Sequence, residues 1–349
     1  MEPPILECVD LKAGYSTRQG MIRAVDGISF QIKQGENLGL VGESGCGKST
    51  VIKSIIKVFP RNFQIESGKI LFKGRDLVPL DYEQMRPYRW DEIAVIPQSA
   101  MNALNPVYKV GYQIREAILE HKNMGPSAAD KRVEELFCMV GIDPSRMQAY
   151  PHQFSGGMKQ RANIAMALAL NPSLIMADEP TTALDVLVQD QIFQRLITLQ
   201  KELGCSIILV THDISLVAEN CNRVCVMYAG KIMESGTVER VLTQPCHPYT
   251  MGLKNAFPSI TRPKDLPLIS IPGSPPVLID PQERCRFCNR CPFSTDVCWK
   301  SMPPDIRIET DHYAACHHLD KVVGMRKRAS RTETWDEAII EGRSAAGGF

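Results

Sequence analysis

The chain has 349 residues, enough for one large folded domain plus an appendage, and its apolar fraction of 44% is ordinary for a protein that buries a core. Lysine and arginine total 40 against 39 aspartates and glutamates, a formal net charge of +1, so no whole-molecule field gathers nucleic acid or an anionic bilayer. The longest uncharged apolar stretch lies between Arg161 and Asp178, is broken by Asn171-Pro172 and is too short to cross a membrane.

The N-terminus, MEPPILECVD, has acids and prolines where a secretory signal needs a basic start and an apolar run, so the chain is expected to stay in the cytosol. In that reducing compartment its 12 cysteines are not expected to form disulfides. Residues 36–41 (ENLGLV) read as a buried strand. A glycine-rich turn follows, then KSTVIKSIIKVF, where Val51, Ile52, Ile55, Ile56 and Phe59 recur at helical spacing. Further on, SAADKRVEELFCMVG places Ser127 and Asp130 as a capping pair, Val133, Leu136, Phe137 and Val140 on one face, and Gly141 as a stop. The runs SLIMAD and SIILVTHD flank LVQDQIFQRLITLQKELG, whose Leu187, Val188, Ile192, Leu196, Leu199 and Leu203 fit a helix ending at Gly204. Such alternation predicts an α/β fold with a parallel sheet covered by helices. Past residue 245, eight prolines between Pro245 and Pro276 predict an extended arm rather than long regular elements. The tail from about residue 321 to 349 is charged, then small and glycine-rich, and is expected to be mobile.

GESGCGKST, residues 42–50, satisfies the G-x-x-x-x-G-K-[ST] pattern through Gly42, Gly47, Lys48 and Ser49. In such a loop the backbone amides of Gly42, Ser44, Gly45, Gly47 and Thr50 curl around phosphate oxygens at the positive end of the following helix. Lys48 reaches the outer phosphates, and Ser49 offers its hydroxyl to Mg2+. Cys46 reads as a small-residue filler of the loop rather than a reactive thiol. A phosphate loop needs a metal-positioning carboxylate on a neighbouring strand, and LIMADEP supplies Asp178, with Glu179 behind it to polarise an attacking water.

QFSGGMKQR, residues 153–161, resembles the signature motif of ATP-binding cassette (ABC) ATPases, with Phe154 where leucine is common and Met158 where glutamine is common. Ser155, Gly156 and Gly157 opening a helix offer N–H donors and a hydroxyl to an anion. Other cassette elements occur in the expected order. Tyr15 in LKAGYS resembles the adenine-stacking aromatic, Gln98 in AVIPQSAMNALNP the Q-loop glutamine and a further Mg2+ ligand, Ala183-Leu184-Asp185 the D-loop, and His212 in VTHD the switch histidine. The resemblance implies a P-loop NTPase with a RecA-like core, an antiparallel β subdomain and a helical subdomain at about 99–160, all within residues 1–250. It also implies a head-to-tail dimer, in which ATP lies between the P-loop of one subunit and the Ser155-Gly156-Gly157 donors of the other.

From about residue 5 to 320 the likeness is to ATPase subunits of oligopeptide and dipeptide importers, carried by TQPCHPYTMGLKNAFP, ISIPGSPP and RCRFCNRCPFSTDVC. That family implies a second, paralogous ATPase subunit or a homodimer, two permease subunits, an extracytoplasmic solute-binding protein, and a peripheral place on the cytoplasmic face of the cell membrane. Close relatives serve short oligosaccharides, nickel or glutathione. The rival reading, a soluble ABC ATPase of DNA repair or translation, expects two fused cassettes or a long coiled coil; here there is one cassette with a short helical lobe. Within the extension, residues 251–320, the C-x5-C-x6-C pattern and a distant fourth cysteine match Cys285, Cys291, Cys298 and Cys316 to the family's iron-sulfur (4Fe-4S) site, with Cys288 at a variable position. The spacings alone suit zinc as well as iron and sulfide, and His312, His317 and His318 stand nearby as further zinc donors. The metal group reads as a structural staple for a proline-rich arm with few apolar residues. Cys8, Cys138, Cys205, Cys221 and Cys225 read as small buried hydrophobes.

Overall fold

The structure, a computed structural model, describes residues 3–98, 103–181, 185–256 and 269–336, with Val186 known by its backbone alone. In chain order its first half runs β1 Leu6–Thr17, β2 Gly20–Ile32, β3 Asn37–Val41, α1 Lys48–Ile56, β4 Phe63–Phe72, β5 Arg75–Asp76, α2 Tyr82–Met85, β6 Ile93–Ile96, α3 Val110–His121, α4 Pro126–Met139 and α5 Gly156–Ala167. The second half runs β7 Leu174–Asp178, α6 Val186–Leu203, β8 Ser206–Thr211, α7 Ile214–Asn220, β9 Arg223–Tyr228, β10 Lys231–Thr237, α8 Val238–Thr243, α9 Pro248–Ala256, α10 Asp296–Lys300, β11 Ile306–Glu309, β12 His312–Ala314 and α11 Val322–Ala329. No helix among the described residues is long and apolar enough to cross a membrane.

The chain forms two compact units, and the first is built on Phe72–Val210 with short N-terminal pieces. There β6, β7 and β8 run parallel, with Ile93 opposite Leu174, and Leu174 opposite Ser206. Every residue of β8 and all of β7 up to Ala177 is buried, the unbroken apolar run expected of parallel strands covered on both faces. In α4, Val133, Leu136 and Phe137 are buried as the periodicity predicts, and Gly141 ends the segment at φ +70°. Its cap is not Ser127 with Asp130. Pro126 stands in the first turn behind Gly125, starting the helix earlier, and Asp130 pairs with Arg115 of α3. In α6, Ile192, Leu196 and Leu199 are buried and Gly204 closes the helix at φ +66°. Leu187, however, is 78% exposed, on the outer face of the first turn.

The second unit takes Glu7–Gln31, Leu38–Leu71 and the chain from Thr211 onward. Strand β3 pairs parallel with β9; β9 pairs antiparallel with β10, β10 with β12 and β12 with β11. A separate sheet has β1 between β2 and β4, and the two-residue link from Thr17 to Gly20 makes β1 and β2 antiparallel. Helix α7 lies on β3 so closely that a Cβ on Gly39 would fall 2.4 Å from Val217. Helix α1 buries Val51, Ile52 and Ile55 but ends at Ile56, leaving Phe59 beyond it and 37% exposed.

The extension follows its sequence reading in part: residues 269–295 form no helix or strand, as the prolines predict, residues 257–268 lie outside the described residues, and the departures are at its two ends. Residues 248–256 form a helix, because Pro248 sits at its start, where a missing N–H costs nothing. Strands β11 and β12 prolong the sheet. The tail expected to be mobile forms α11, which buries Met325 and Ala329, and Trp335 beyond it is 1% exposed, its indole N–H donating to Ala329 O at 2.9 Å. Residues 337–349 lie outside the described residues.

Candidate nucleotide site and cysteine cluster

The phosphate loop joins β3 to α1 and is hemmed in by backbone. A Cβ on Gly42 would lie 2.1 Å from Met227 O, and one on Gly47 2.1 Å from Ala24 O, with Gly47 already at φ +109°. Gly47 is also the N-cap of α1 and brings no side-chain acceptor to the helix's first amides, the arrangement that suits an incoming anion. The Lys48 ammonium, nearly buried, donates to Gly42 O at 2.7 Å and Glu43 O at 3.0 Å. Burial raises the Cys46 thiol despite the neighbouring lysine, so Cys46 fills space. Thr50 is buried with its hydroxyl 3.5 Å from that of Tyr15, whose ring meets Phe63 edge-on at 5.2 Å.

In the first unit, Gln98 follows β6 and Glu179 follows β7. The parallel register sets Ile96 beside Ala177, so both strands end together and the Gln98 amide donates to the Glu179 carboxylate at 2.7 Å. Glu179 holds φ +45° with its N–H on Val210 O at 2.8 Å. A non-glycine residue in that region is strained, a feature that gathers at functional positions. Asp178 is the last residue of β7, and His212 is exposed just after β8.

Ser155 caps α5, its hydroxyl accepting from Met158 N at 3.3 Å, and is exposed. A Cβ on Gly157 would meet Val188 at 2.9 Å, so this glycine lets the first turns of α5 and α6 approach. Asp185 caps α6 through Val188 N at 3.0 Å. Ala183 and Leu184 lie outside the described residues.

Cys285, Cys298 and Cys316 are buried and Cys291 is partly so. Burial first, and then the mutual repulsion of the group, holds Cys285 at about 12, Cys316 at about 11 and Cys291 well above the ordinary thiol range. The amide of Cys285 donates to Cys298 O at 3.1 Å, which ties the two ends of the cysteine-rich loop together. Cys288 is buried as well, its thiol 3.3 Å from Asn289 Oδ1. His318 reaches Thr295 Oγ1 at 2.8 Å and Cys298 Sγ at 3.5 Å, and His317 reaches the carbonyl of Ser301. Of the lone cysteines, Cys138 is exposed and Cys221 half-buried, against expectation.

Periodicity missed a polar group of the second unit. Glu234 of β10 accepts the amides of Cys246 and His247, each at 2.8 Å, and pairs with Nε2 of His312 at 2.8 Å. Among the described residues, Glu234, Cys246 and His312 are the one set of three potential metal-ligand atoms within 4.8 Å of one another. The Arg326 guanidinium stands 3.7 Å from Cys246 Sγ, and the carboxylate is already filled by hydrogen bonds, so the set is an ion-paired clasp rather than a cation site. Burial would lower the His312 imidazole, but hydrogen bonds to Cys246 and Glu234 and the Glu234 charge raise it to about 9. Next to the clasp, burial keeps His247 neutral by lowering it to about 3, and its Nδ1 caps α9 by accepting from Tyr249 N at 3.0 Å. No spacing rule announces such pairs; only the His-Pro-Tyr run at 247–249 hints at a built helix start.

The family profile described as "ABC transporter" matches residues 25–182, and the one described as "Oligopeptide/dipeptide transporter, C-terminal region" matches residues 233–298. The oligopeptide transport ATP-binding protein OppD of Bacillus subtilis is 44% identical over 88% of this chain and 87% of its own. The dipeptide transport ATP-binding protein DppD of Lactococcus lactis is 41% identical over 96% and 98%. A solved dimeric structure of the ATP-binding cassette MJ0796, in a post-hydrolysis state bound to ADP and Pi, covers 67% of this chain and 98% of that one, with a TM-score of 0.61 and 27% identity. The fold and the motifs define an ATP-binding subunit of an ABC transporter, an ATPase. The similarity runs through the extension to nearly the full length of those relatives. The chain belongs to the oligopeptide/dipeptide transporter family of these subunits.

Proposed function

We propose that this chain powers uptake of oligopeptides or dipeptides from the cytoplasmic face of the membrane. It works with a second ATPase subunit, two permease subunits and an extracytoplasmic solute-binding protein. ATP is held by the amides of residues 42–50 and by Lys48, with Tyr15 against the adenine, and the Ser155-Gly156-Gly157 donors of the partner subunit close over it. Closure therefore needs the γ-phosphate, and hydrolysis releases it, a nucleotide-driven shift of population between closed and open states. Ser49, Gln98 and Asp178 are the side chains to hold Mg2+, which when bound neutralises charge on the phosphates. Glu179 polarises the attacking water, and Gln98 and His212 sense the γ-phosphate.

The observation that carries this reading is the Gln98–Glu179 hydrogen bond, made by residues far apart in sequence at the shared end of two parallel strands, one of them on strained backbone. Glu179→Gln should keep ATP binding and slow turnover of the assembled complex by ~100-fold or more, the scale of a lost general base. Near-normal turnover would refute the assignment.

In the extension, Cys285, Cys291, Cys298 and Cys316 are the residues to hold a 4Fe-4S cluster. Cys291 feels the charge of Cys285, Cys316 and Cys298, so the four thiols sit as one group. Thiols held this high ionise only with a bound cation's help, which suits a structural staple.

A further inference from the structure

Glu43, the second residue of the phosphate loop, is gripped from the extension. Its amide donates to the Tyr249 hydroxyl at 3.0 Å. Its carboxylate accepts from Arg290 Nη1 at 3.0 Å and 2.9 Å, and its carbonyl accepts from Cys46 N at 3.2 Å and from the Lys48 ammonium. Arg290 is itself fixed. Its side chain is 6% exposed, its Nε donates to Pro272 O at 2.6 Å, its Nη2 to Ile271 O at 3.2 Å, and its Nη1 also to the Tyr228 hydroxyl at 3.2 Å. Tyr228, Tyr249 and Phe287 pack ring against ring at 4.7–5.4 Å beneath it.

This arrangement meets an electrostatic difficulty. A carboxylate inside a loop that must receive a polyanion repels it, by an amount that grows as water is excluded. Here the carboxylate is spanned by a guanidinium locked in place by two carbonyls and a phenol, and the same residue's carbonyl carries Lys48. We propose that Arg290 is a positioning residue for nucleotide binding: through Glu43 it cancels the loop's own negative charge and fixes the carbonyl that orients Lys48. The cysteine-rich segment thereby sets the affinity of the phosphate loop.

The test is a double-mutant cycle on the purified full chain, read by ATP affinity and, in the assembled complex, by KM and kcat. Arg290→Gln strands the Glu43 carboxylate and should weaken ATP binding by about tenfold, raising KM more than it lowers kcat. Adding Glu43→Gln removes the stranded charge, and the double variant should recover to within about threefold of wild type. An unchanged affinity in Arg290→Gln, or a double variant no tighter than Arg290→Gln alone, overturns the proposal. Should Arg290→Gln not fold, Glu43→Gln made in the wild-type and Arg290→Lys backgrounds decides the matter: a departure from additivity of about threefold or more supports coupling, and simple additivity overturns it. The proposal rests on the phosphate-loop reading, which Lys48→Ala tests separately. If that variant binds ATP like wild type, the site assignment fails, whatever the cycle shows.

Discussion

The Glu234–His312–Cys246 clasp makes a prediction with a definite sign in pH. The His312 imidazole ordinarily titrates at 6.5, and the folded chain raises it to about 9. A group raised on folding stabilises fully below its unfolded value and loses that contribution as pH climbs through the folded one. The window is therefore about pH 6.5 to 9, and the difference between those values sets a ceiling on the order of 3 kcal/mol. His312 is 3% exposed and Glu234 1%, so little solvent screening reduces this. Removing the carboxylate should cost more. Glu234→Ala leaves two amides and an imidazolium without their acceptor, for which about 3–5 kcal/mol is the usual scale. The assay is urea unfolding of the full chain at several pH values, followed by tryptophan fluorescence in a Trp90→Phe background, so that the signal comes from Trp299 and Trp335, which lie in the same unit as the clasp. Wild type should lose stability relative to His312→Gln between pH 6.5 and 9, and the two profiles should converge above that. Parallel profiles across the window would refute the reasoning, because the other titrating groups are common to both proteins.

Three further outcomes follow from geometry. Gly47→Ala should abolish ATP binding, since its Cβ would strike Ala24 O at 2.1 Å on backbone already at φ +109°; Gly45→Ala, at φ +79° with open space around it, should be milder, at about 1–2 kcal/mol of backbone strain. Trp335→Ala should cost about 3–5 kcal/mol in the same urea assay, because the buried ring lies against α9, where a Cβ on Gly252 would meet it at 2.6 Å. Serine at Cys285, Cys291, Cys298 or Cys316 should each remove iron and sulfide from anaerobically purified protein, whereas Cys288→Ser should retain both; stoichiometric zinc without iron in wild type would reject the cluster.

The nucleotide-binding part was legible because its chemistry requires backbone that only certain residues allow. Gly42 and Gly47 stand where a carbonyl leaves no room for a Cβ, and Gly157 where one helix crowds another, so their spacing survives as a written pattern. The strands β3, β7 and β8 were equally visible, since burial on both faces demands unbroken apolar runs. Single positions near helix starts were not. Leu187 continues the apolar period of α6 yet faces outward, and Ser127 has the chemistry of a cap but was forestalled by Pro126.

The extension resisted reading for a related reason: it is joined to its unit by polar pairs rather than by a periodic apolar face. Residues 312–314 become a strand because β10 offers Glu234 and Ser235 an edge to pair with, and residues 233–246 bring the carboxylate that His312 needs. Buried polar groups that are fully satisfied specify one arrangement, because any other leaves a charge without its partner. Arg286 shows the pairing without full satisfaction: its Nη2 meets Asp26, a carboxyl that burial would raise but that Lys231 and Arg286 hold below the usual range, while its buried Nε has no hydrogen-bond partner among the described residues. Arg290 on Glu43 repeats the pairing at the phosphate loop. Each pair spans a large separation in sequence, where no local pattern can record it. Of the proline-rich segment, residues 269–295 form no helix or strand, as its composition predicts, and polar partners such as Glu43 and Asp26 hold them in place.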